Sequence, residues 1–267
     1  MEYILDFHKL DRDAKNLLKE AGSKIRSSFS SELSIETKAD ANDLVTNIDR
    51  EVEQFFIKFI KSNYPNHLIL GEEGFGDEIT SLSGTIWMLD PIDGTMNFIH
   101  QKRNFAISLG IYHDGVGMLG YVYDVVLDEL YSAQKGQGAY LNDERIPFLE
   151  ATSINEAVIG MNASWVVPNE HIEHEGMIQL VKDVRGIRSY GSAALELAYV
   201  STGRIDAYMS MRLSPWDVAG GMIIAEEVGA VSTNLSGAPL KLLGQDTFLV
   251  ARNGLHNEII SKYIRLK

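Results

Sequence analysis

Two aspartates, Asp90 and Asp93, close an apolar run and are followed directly by a Gly-Thr pair. Apolar residues that end in acids are typical of a buried strand that opens onto a functional site. Two carboxylates this close repel each other unless a cation neutralises them, and hard oxygen ligands suit Mg²⁺, Mn²⁺ or Ca²⁺. The structural alternative is a tight Asp-Pro and Asp-Gly turn between two strands. The complete Asp-Pro-Ile-Asp-Gly-Thr segment favours the metal site.

The residues that follow Asp93 favour an anion site beside the metal. Gly94 allows a backbone geometry and a close approach that other residues resist. Thr95 and the residues after it are suited to open a helix, whose free N–H groups attract an anion. A metal on one side and a phosphate on the other is the chemistry of a phosphatase.

Further acidic segments and one turn of small residues are candidates for the same site. Glu72 and Glu73 end a second apolar run, and by themselves they indicate a solvated loop. Asp49 and Asp217 each stand at the start of a predicted helix, where capping is the default role. The turn over 188–194 indicates either simple close packing or a place where a ligand approaches the backbone.

Composition narrows the classes of partner. The 267 residues are 45% hydrophobic and 23% charged, which is ordinary for a soluble globular protein. No apolar run approaches the roughly 18 residues of a membrane helix, and the acidic N-terminus does not resemble a signal peptide, so we expect no membrane partner. The absence of cysteine excludes disulfides and Cys nucleophiles and is compatible with the cytoplasm, where we expect the protein. The net charge of −13 disfavours nucleic acid and agrees with a cation in the site of an anionic substrate.

The elements that must position these residues are predicted from hydrophobic periodicity. Apolar residues three and four apart indicate a first helix from about Tyr3 to Ile25 and a second from Thr46 or Asn47 to about Asn63. The polar segment 27–42 between them is predicted to be a loop. Helices beside a largely antiparallel sheet are then expected, with strands at 67–70, 85–89, 105–112, 117–124 and 129–133.

After about Glu150 strands and helices alternate, which predicts a layered α/β half. The predicted strands are 158–161, 185–189, 207–211 and 247–251, and the predicted helices are 171–182, 192–201, 216–228 and 255–264. We therefore expect an α/β (α+β) chain with an N-terminal half, 1–150, that holds most metal ligands. A C-terminal half, 151–267, is expected to hold Asp217 and the substrate-side residues.

Together these segments resemble the inositol monophosphatase family, within the larger group of Mg²⁺-dependent, Li⁺-sensitive sugar phosphatases. The matching motifs occur in the family's order: Asp43-Leu-Val-Thr-x-x-Asp49, Gly71-Glu72-Glu73, Asp90-Pro-Ile-Asp93-Gly-Thr95, Gly191-Ser-Ala-Ala194 and Trp216-Asp217-Val-Ala-Gly220. The resemblance implies a layered α/β/α/β/α sandwich of the fructose-1,6-bisphosphatase and inositol monophosphatase type, a homodimer, and inhibition by lithium. It also matches the polar segment 36–40 to a mobile loop that covers the metals.

The resemblance implies a site of two to three Mg²⁺ ions, with Mn²⁺ as an alternative. Glu72, Asp90 and the backbone carbonyl of Ile92 would hold the first ion. Asp90, Asp93 and Asp217 would hold the second, and Glu72 with waters would hold a weaker third.

Catalytic roles are also implied by the resemblance. Thr95, paired with Asp49, would orient and deprotonate the attacking water, and the backbone N–H groups of Gly94 and Thr95 would receive the phosphate. Metal coordination makes hydroxide available near neutral pH, and a second metal can stabilise the leaving alkoxide. Neither a phosphoenzyme nor a histidine base is then required.

Substrate choice is specified less closely by the sequence. The substrate-side candidates are Asp93, Gly94, Thr95, Gly191, Ser192, Ala193, Ser210, Arg212 and Asp217. In the family's animal members a glutamate seven positions before the Trp-Asp aspartate contacts the inositol hydroxyls. Ser210 stands there in this chain and leaves room for a larger or differently polar alcohol. Arg212 is a candidate for a second phosphate, with a surface or structural ion pair as the alternative.

Several functions therefore stay open. Inositol phosphate leads as the substrate, and the alternatives are fructose 1,6-bisphosphate, 3′-phosphoadenosine phosphates and the 2′-phosphate of NADP. A regulatory binding protein on the same fold is a second class, because bacterial relatives can associate with transcription machinery; the complete ligand set and the negative charge argue against it. A Ca²⁺-binding structural module is a third, but no segment matches an EF-hand loop.

Overall fold

The structure is a computed structural model that describes residues 5–30, 33–37 and 44–267. The helices are α1 Phe7–Ser28, α2 Asn47–Asn63, α3 Thr95–Gln101, α4 His174–Asp183, α5 Ala193–Ser201, α6 Pro215–Glu227 and α7 Leu255–Tyr263. The strands are β1 Ile35–Thr37, β2 Leu44–Thr46, β3 Leu68–Gly71, β4 Thr85–Asp93, β5 Ala106–His113, β6 Val116–Asp124, β7 Glu129–Gln134, β8 Gly138–Leu141, β9 Glu144–Arg145, β10 Val158–Gly160, β11 Gly186–Arg188, β12 Ala207–Leu213, β13 Ala230–Thr233 and β14 Asp246–Arg252.

Two large sheets organise the chain. The first has seven strands in the order β3-β4-β5-β6-β7-β8-β9, and only the β3–β4 pair is parallel among them. The second has the order β11-β10-β12-β14-β13, in which β10 is parallel to both of its neighbours and the remaining pairs are antiparallel. Every residue of β4 is buried, because helices cover both faces of the first sheet, and this is why the strand reads as a continuous apolar run.

Helices form three layers around these sheets. α1 and α2 pack on the outer face of the seven-stranded sheet, where Leu18, Phe56 and Trp87 share one apolar cluster. α5 and α6 lie between the sheets, and a Cβ on Gly220 of α6 would meet the carbonyl oxygen of Tyr121 at 2.4 Å. α4 and α7 cover the outer face of the second sheet. The order is α/β/α/β/α, which confirms the expected fold.

Helix α2 begins where it was predicted because a local cap fixes its first turn. The hydroxyl of Thr46 accepts the N–H of Ile48, and a carboxylate oxygen of Asp49 accepts the N–H of Thr46 at 2.9 Å. These reciprocal bonds satisfy N–H groups that a helix start otherwise leaves unpaired. The expected α2 is therefore confirmed.

The prediction of a loop over 27–42 is wrong in part, within the described residues. Helix α1 continues to Ser28, and β1 pairs antiparallel with β2. Arg50 on α2 forms a bidentate ion pair with Glu36 of β1, in which the two guanidinium nitrogens lie 3.0 and 2.6 Å from the two carboxylate oxygens. Tyr3, Asp43 and residues 38–40 of the segment matched to the metal-covering loop lie outside the described residues.

The strand that carries the two aspartates is longer than predicted. β4 runs on from Leu89 to Asp93, and its register with β5 shifts between Asp90 and Asp93. This irregularity lets the strand pass Pro91, which has no N–H to donate to a ladder. The shift redirects the chain at the end of the strand, next to the start of α3.

The chain changes from the first sheet to the second between Arg145 and Val158, on either side of Glu150. Helix α6, from beyond that point, nevertheless packs against β4, β5 and β6 of the first sheet as well as against β13. The division into halves at 1–150 and 151–267 stays a prediction. None of the helices in the described part of the chain is long and apolar enough to cross a membrane.

Candidate metal and phosphate site

Three carboxylates from two elements meet where β4 ends. Asp90 and Asp93 lie at the irregular end of β4, and Asp217 lies in the first turn of α6. One carboxylate oxygen from each lies within 4.8 Å of the other two. Asp90 and Asp93 are buried and Asp217 is half-buried. Clustered carboxylate oxygens of this kind fit Mg²⁺ or Mn²⁺.

Asp217 combines the structural role expected of it with membership of this cluster. One of its carboxylate oxygens accepts the N–H of Ser214 at 2.8 Å and completes a capping box at the start of α6. The bond holds the aspartate at the helix terminus, from which its carboxyl group reaches the two aspartates of β4. Capping and cluster membership are therefore compatible at this position.

Asp93 is tied to the N-terminus of α5. Its Oδ2 atom accepts the hydroxyl of Ser192 and the N–H of Ala194, the latter at 2.8 Å. Gly94 and Gly191, at φ +96° and +76°, let the two turns approach closely, and a Cβ on Gly94 would lie 3.1 Å from the carbonyl oxygen of Gly191. The structure thus brings the predicted small-residue turn, including Ala193 at the first position of α5, against the acidic end of β4.

Asn97 is a residue of this region that the sequence reasoning missed. Its side-chain amide donates to the carbonyl oxygens of Asn104 at 2.8 Å and Tyr190 at 2.7 Å, and the residue is buried. These bonds join α3 to the turn that precedes Gly191. The only signal in the sequence is its place three residues after Gly94, where a polar helix residue ordinarily faces solvent.

The hydroxyl of Thr95, the first residue of α3, lies between two acceptors. Oδ1 of Asp49 is 3.3 Å away and the carbonyl oxygen of Ile92 is 3.1 Å away. Since a hydroxyl carries one hydrogen, Thr95 donates to one of them at a time. The other oxygen of Asp49 accepts the N–H and the hydroxyl of Thr46. The structure therefore brings the predicted Thr95–Asp49 pair together.

Glu72 follows β3 and lies beside the cluster because β3 is parallel to β4. Its N–H donates to the carbonyl oxygen of Leu89 at 3.3 Å, one residue before Asp90. Its carboxylate charge contributes to raising the pKa of both Asp90 and Asp49. Both observations place Glu72 near Asp90 and near Asp49.

Burial makes these carboxylates reluctant to ionise in the metal-free protein. It raises the pKa of Asp49 and of Asp93 to about 6, and hydrogen bonds from Thr46 and Ser192 oppose the two increases. Burial and then the charges of its acidic neighbours raise the pKa of Asp90 well above its usual range. Neutralisation by a cation would relieve both the burial of charge and the repulsion.

These pKa changes predict how the metal-free protein responds to pH. Asp49 and Asp93 bind more protons in the folded than in the unfolded state between the ordinary value of 3.8 and about 6, so the free energy of unfolding should fall as pH rises through this window. The loss is on the order of a few kcal/mol. Urea unfolding in EDTA at pH 4.5 and 7.5 measures it. Addition of Mg²⁺ should restore stability at pH 7.5 by mass action, and a metal-free protein that gained stability on going to pH 7.5 would contradict the prediction.

Ser210 and Arg212 lie on β12, which leads to the start of α6. Ser210 is buried and its Oγ atom is 3.4 Å from the N–H of Arg212, whereas the side chain of Arg212 is exposed. The β12–β14 register shifts between Ser210 and Leu213. Burial raises the pKa of Tyr208 on this strand, and the charges of acidic residues that include Asp93 and Asp217 contribute. The strand thus runs beside the cluster, and contact of Ser210 or Arg212 with a substrate stays a prediction.

Known proteins are similar to this chain in sequence and fold. The model of the inositol monophosphatase family matches residues 6–266. The inositol-1-monophosphatase of Bacillus subtilis (strain 168) is 51% identical over 264 residues, which cover 99% of this chain and 100% of that protein. The solved structure of inositol monophosphate-bound SaIMPase-II is 42% identical, with a TM-score of 0.86 over 96% of this chain and 93% of that one. An IMPase/NADP phosphatase complexed with Mg²⁺ and phosphate is 28% identical, with a TM-score of 0.88 over 95% and 94% of the two chains.

Proposed function

This chain belongs to the inositol monophosphatase family, and we propose that it is a Mg²⁺-dependent phosphomonoesterase that hydrolyses an inositol monophosphate or a similar small polyol or sugar phosphate. The observation that carries the proposal is that carboxylate oxygens of Asp90, Asp93 and Asp217 lie within 4.8 Å of one another. Asp93 directly precedes the Gly94-Thr95 turn at the start of α3. The products are the free alcohol and inorganic phosphate.

We propose ligands for each cation from the carboxylates present. Asp90, Asp93 and Asp217 would hold one ion, and Glu72, Asp90 and the carbonyl of Ile92 would hold another, with Glu72 as a partner for a third. An IMPase/NADP phosphatase of the same fold is complexed with Mg²⁺ and phosphate, which supports the choice of Mg²⁺. When bound, such ions lower the pKa of water and neutralise charge on the phosphoryl oxygens.

Thr95 and Asp49 would supply the proton pathway. With its hydrogen directed to Asp49, the Thr95 hydroxyl keeps lone pairs for the attacking water. Asp49, with a pKa of about 6 in the metal-free site, is suited to take a proton near neutral pH. The N–H of Thr46 donates to the other oxygen of Asp49 and holds that carboxylate in place.

The turn after β4 and the turn before α5 would form the substrate side. The N–H groups of Gly94 and Thr95 would bind the phosphate, and residues 191–193 would lie beside the alcohol. Ser210 and Arg212 approach from β12, and their contacts would select among alcohols of different size and charge. The exposed Arg212 guanidinium is suited to a second phosphate group.

Phosphate release tests the proposed function. We expect purified protein in several millimolar Mg²⁺ to release phosphate from inositol 1-phosphate, because the cluster would hold cations that lower the pKa of water. The same assay with fructose 1,6-bisphosphate, NADP and 3′-phosphoadenosine 5′-phosphate measures how broad the specificity is. EDTA should abolish release and excess Mg²⁺ should restore it. Absence of release from every ester of the panel would contradict the proposal and favour a regulatory binding protein, detectable as a metal-independent partner in a pull-down.

We further propose, from family membership, that the protein is a homodimer inhibited by Li⁺. Light scattering on the purified protein measures the dimer directly. A titration of LiCl at fixed Mg²⁺ measures inhibition, in which Li⁺ would replace a weakly held Mg²⁺.

A further inference from the structure

We propose that Glu53 is a positioning residue that fixes the loop carrying Glu72, an inference that rests on the proposed role of the carboxylate site. Glu53 lies on α2 and is 0% exposed. Its Oε2 atom accepts the N–H of Glu73 at 2.7 Å and its Oε1 atom accepts the N–H of Phe75 at 2.9 Å. One buried carboxylate thus binds the backbone on both sides of Gly74, directly after Glu72.

The two hydrogen bonds from the loop to Glu53 are short, at 2.7 and 2.9 Å. Hydrogen bonds from N–H groups to an ionised carboxylate are shorter and roughly twice as strong as those between neutral groups. Each oxygen of Glu53 accepts a backbone N–H of the loop, so the two bonds tie this carboxylate to the loop. Its proposed role is therefore to hold the loop that carries the neighbouring Glu72.

The sequence makes room for this contact at Gly71, the last residue of β3. A Cβ on Gly71 would lie 2.6 Å from both Cδ and Oε2 of Glu53, closer than side-chain atoms approach one another. A glycine at this position lets the carboxylate reach past the strand end to the loop. The Gly71-Glu72-Glu73 motif therefore includes the glycine against which the Glu53 carboxylate packs, as well as a candidate ligand.

The same helix face serves both sides of the candidate site. Asp49 and Glu53 are four residues apart, so their side chains project from neighbouring turns of α2. The carboxylate of Asp49 accepts a hydrogen bond from the hydroxyl of Thr95. The carboxylate of Glu53 accepts hydrogen bonds from the loop that follows Glu72. The orientation of α2 thus fixes the distance between the proton pathway and the candidate ligand Glu72.

Glu53→Gln tests the inference with readouts that need no turnover. An amide keeps the size of the side chain but presents one acceptor oxygen, so one loop N–H loses its partner. The remaining bond is weaker because its acceptor is neutral, so we expect faster hydrogen exchange at the amides of both residue 73 and residue 75 in the metal-free protein. We also expect the Kd for Mg²⁺, measured by calorimetry without substrate, to rise about 10- to 100-fold, as for other outer residues that orient metal ligands.

Glu227→Gln is the matched control. The two oxygens of Glu227 accept the N–H groups of Gly136 and Gly138, each at 2.7 Å, so this carboxylate also holds a turn through residues two apart. It lies ten residues beyond Asp217 on α6, about 15 Å along the helix. We expect faster exchange at residues 136 and 138 and an unchanged Kd for Mg²⁺.

Gly71→Ala is a second variant that keeps the charge of Glu53 and displaces its carboxylate. It should reproduce the weaker Mg²⁺ binding, and melting curves select the folded variants for comparison. Wild-type Mg²⁺ affinity in folded Glu53→Gln or Gly71→Ala protein, or an equal loss in Glu227→Gln, would overturn the inference. A wild-type protein that binds Mg²⁺ but releases no phosphate would contradict only the proposed function, while weaker binding in the two loop variants would still support the role of Glu53.

Discussion

Asp93→Asn is expected to lower kcat for phosphate release by at least about a thousandfold. Asp93 belongs to the carboxylate cluster and is held there by the N-terminus of α5 through Ser192 and Ala194. The substitution removes one negative charge from the donor set and leaves the side-chain size unchanged. Metal stabilisation of the transition state is worth several kcal/mol, and each 1.36 kcal/mol is a factor of ten in rate.

The measurement is phosphate release from inositol 1-phosphate together with a Mg²⁺ titration by calorimetry. Mg²⁺ affinity should fall with activity, while stability in EDTA at pH 7.5 should equal or exceed that of the wild type, because a buried charge has been removed. Asp124→Asn is a suitable control, since Asp124 is a buried aspartate that accepts the N–H groups of Val126 and Leu127 outside the cluster. Unchanged turnover in Asp93→Asn would contradict the metal assignment.

The parts of the fold that were predictable are those with local causes. The start of α2 follows from Thr46 and Asp49, which are three residues apart and cap the helix by themselves. The extension of β4 to Asp93 was missed because it depends on pairing with β5 around an irregular register. Strands β1, β2, β8, β9 and β13 were also missed, since two to four residues have too little periodicity to predict a strand without its partner.

The site residues also separate into those that local sequence predicts and those that depend on tertiary packing. Asp90 and Asp93 were identified because acids that end a buried strand are conspicuous in a sequence, and Asp217 because it opens an apolar helix. Glu53 and Asn97 were missed because polar residues within helices normally face solvent. Only the packing of α2 on the first sheet and of α3 on the turn before α5 buries them and gives them backbone partners.

Asp49→Asn is expected to lower kcat by about 10²- to 10⁴-fold, the usual contribution of a positioned general base. The amide still accepts the Thr95 hydrogen but takes no proton from the attacking water. Asp49 lies outside the three-carboxylate cluster of the described residues, so the Kd for Mg²⁺ should change far less than in Asp93→Asn. Calorimetry and phosphate release on the same preparation separate the two effects, and the melting temperature accounts for the weakened cap of α2.

The pH profile and a double variant make this assignment specific. Protonated Asp49 takes no proton, so kcat should fall as pH drops through the pKa of Asp49, which is about 6 without metal and lower beside bound cations. Asp49→Asn should lose this acidic limb. Thr95→Val removes the hydroxyl at similar size, and if Thr95 and Asp49 act as one pathway, the double variant should be about as slow as the slower single variant. Independent losses that multiply in the double variant would show that the 3.3 Å contact between Thr95 Oγ1 and Asp49 Oδ1 is structural and carries no proton.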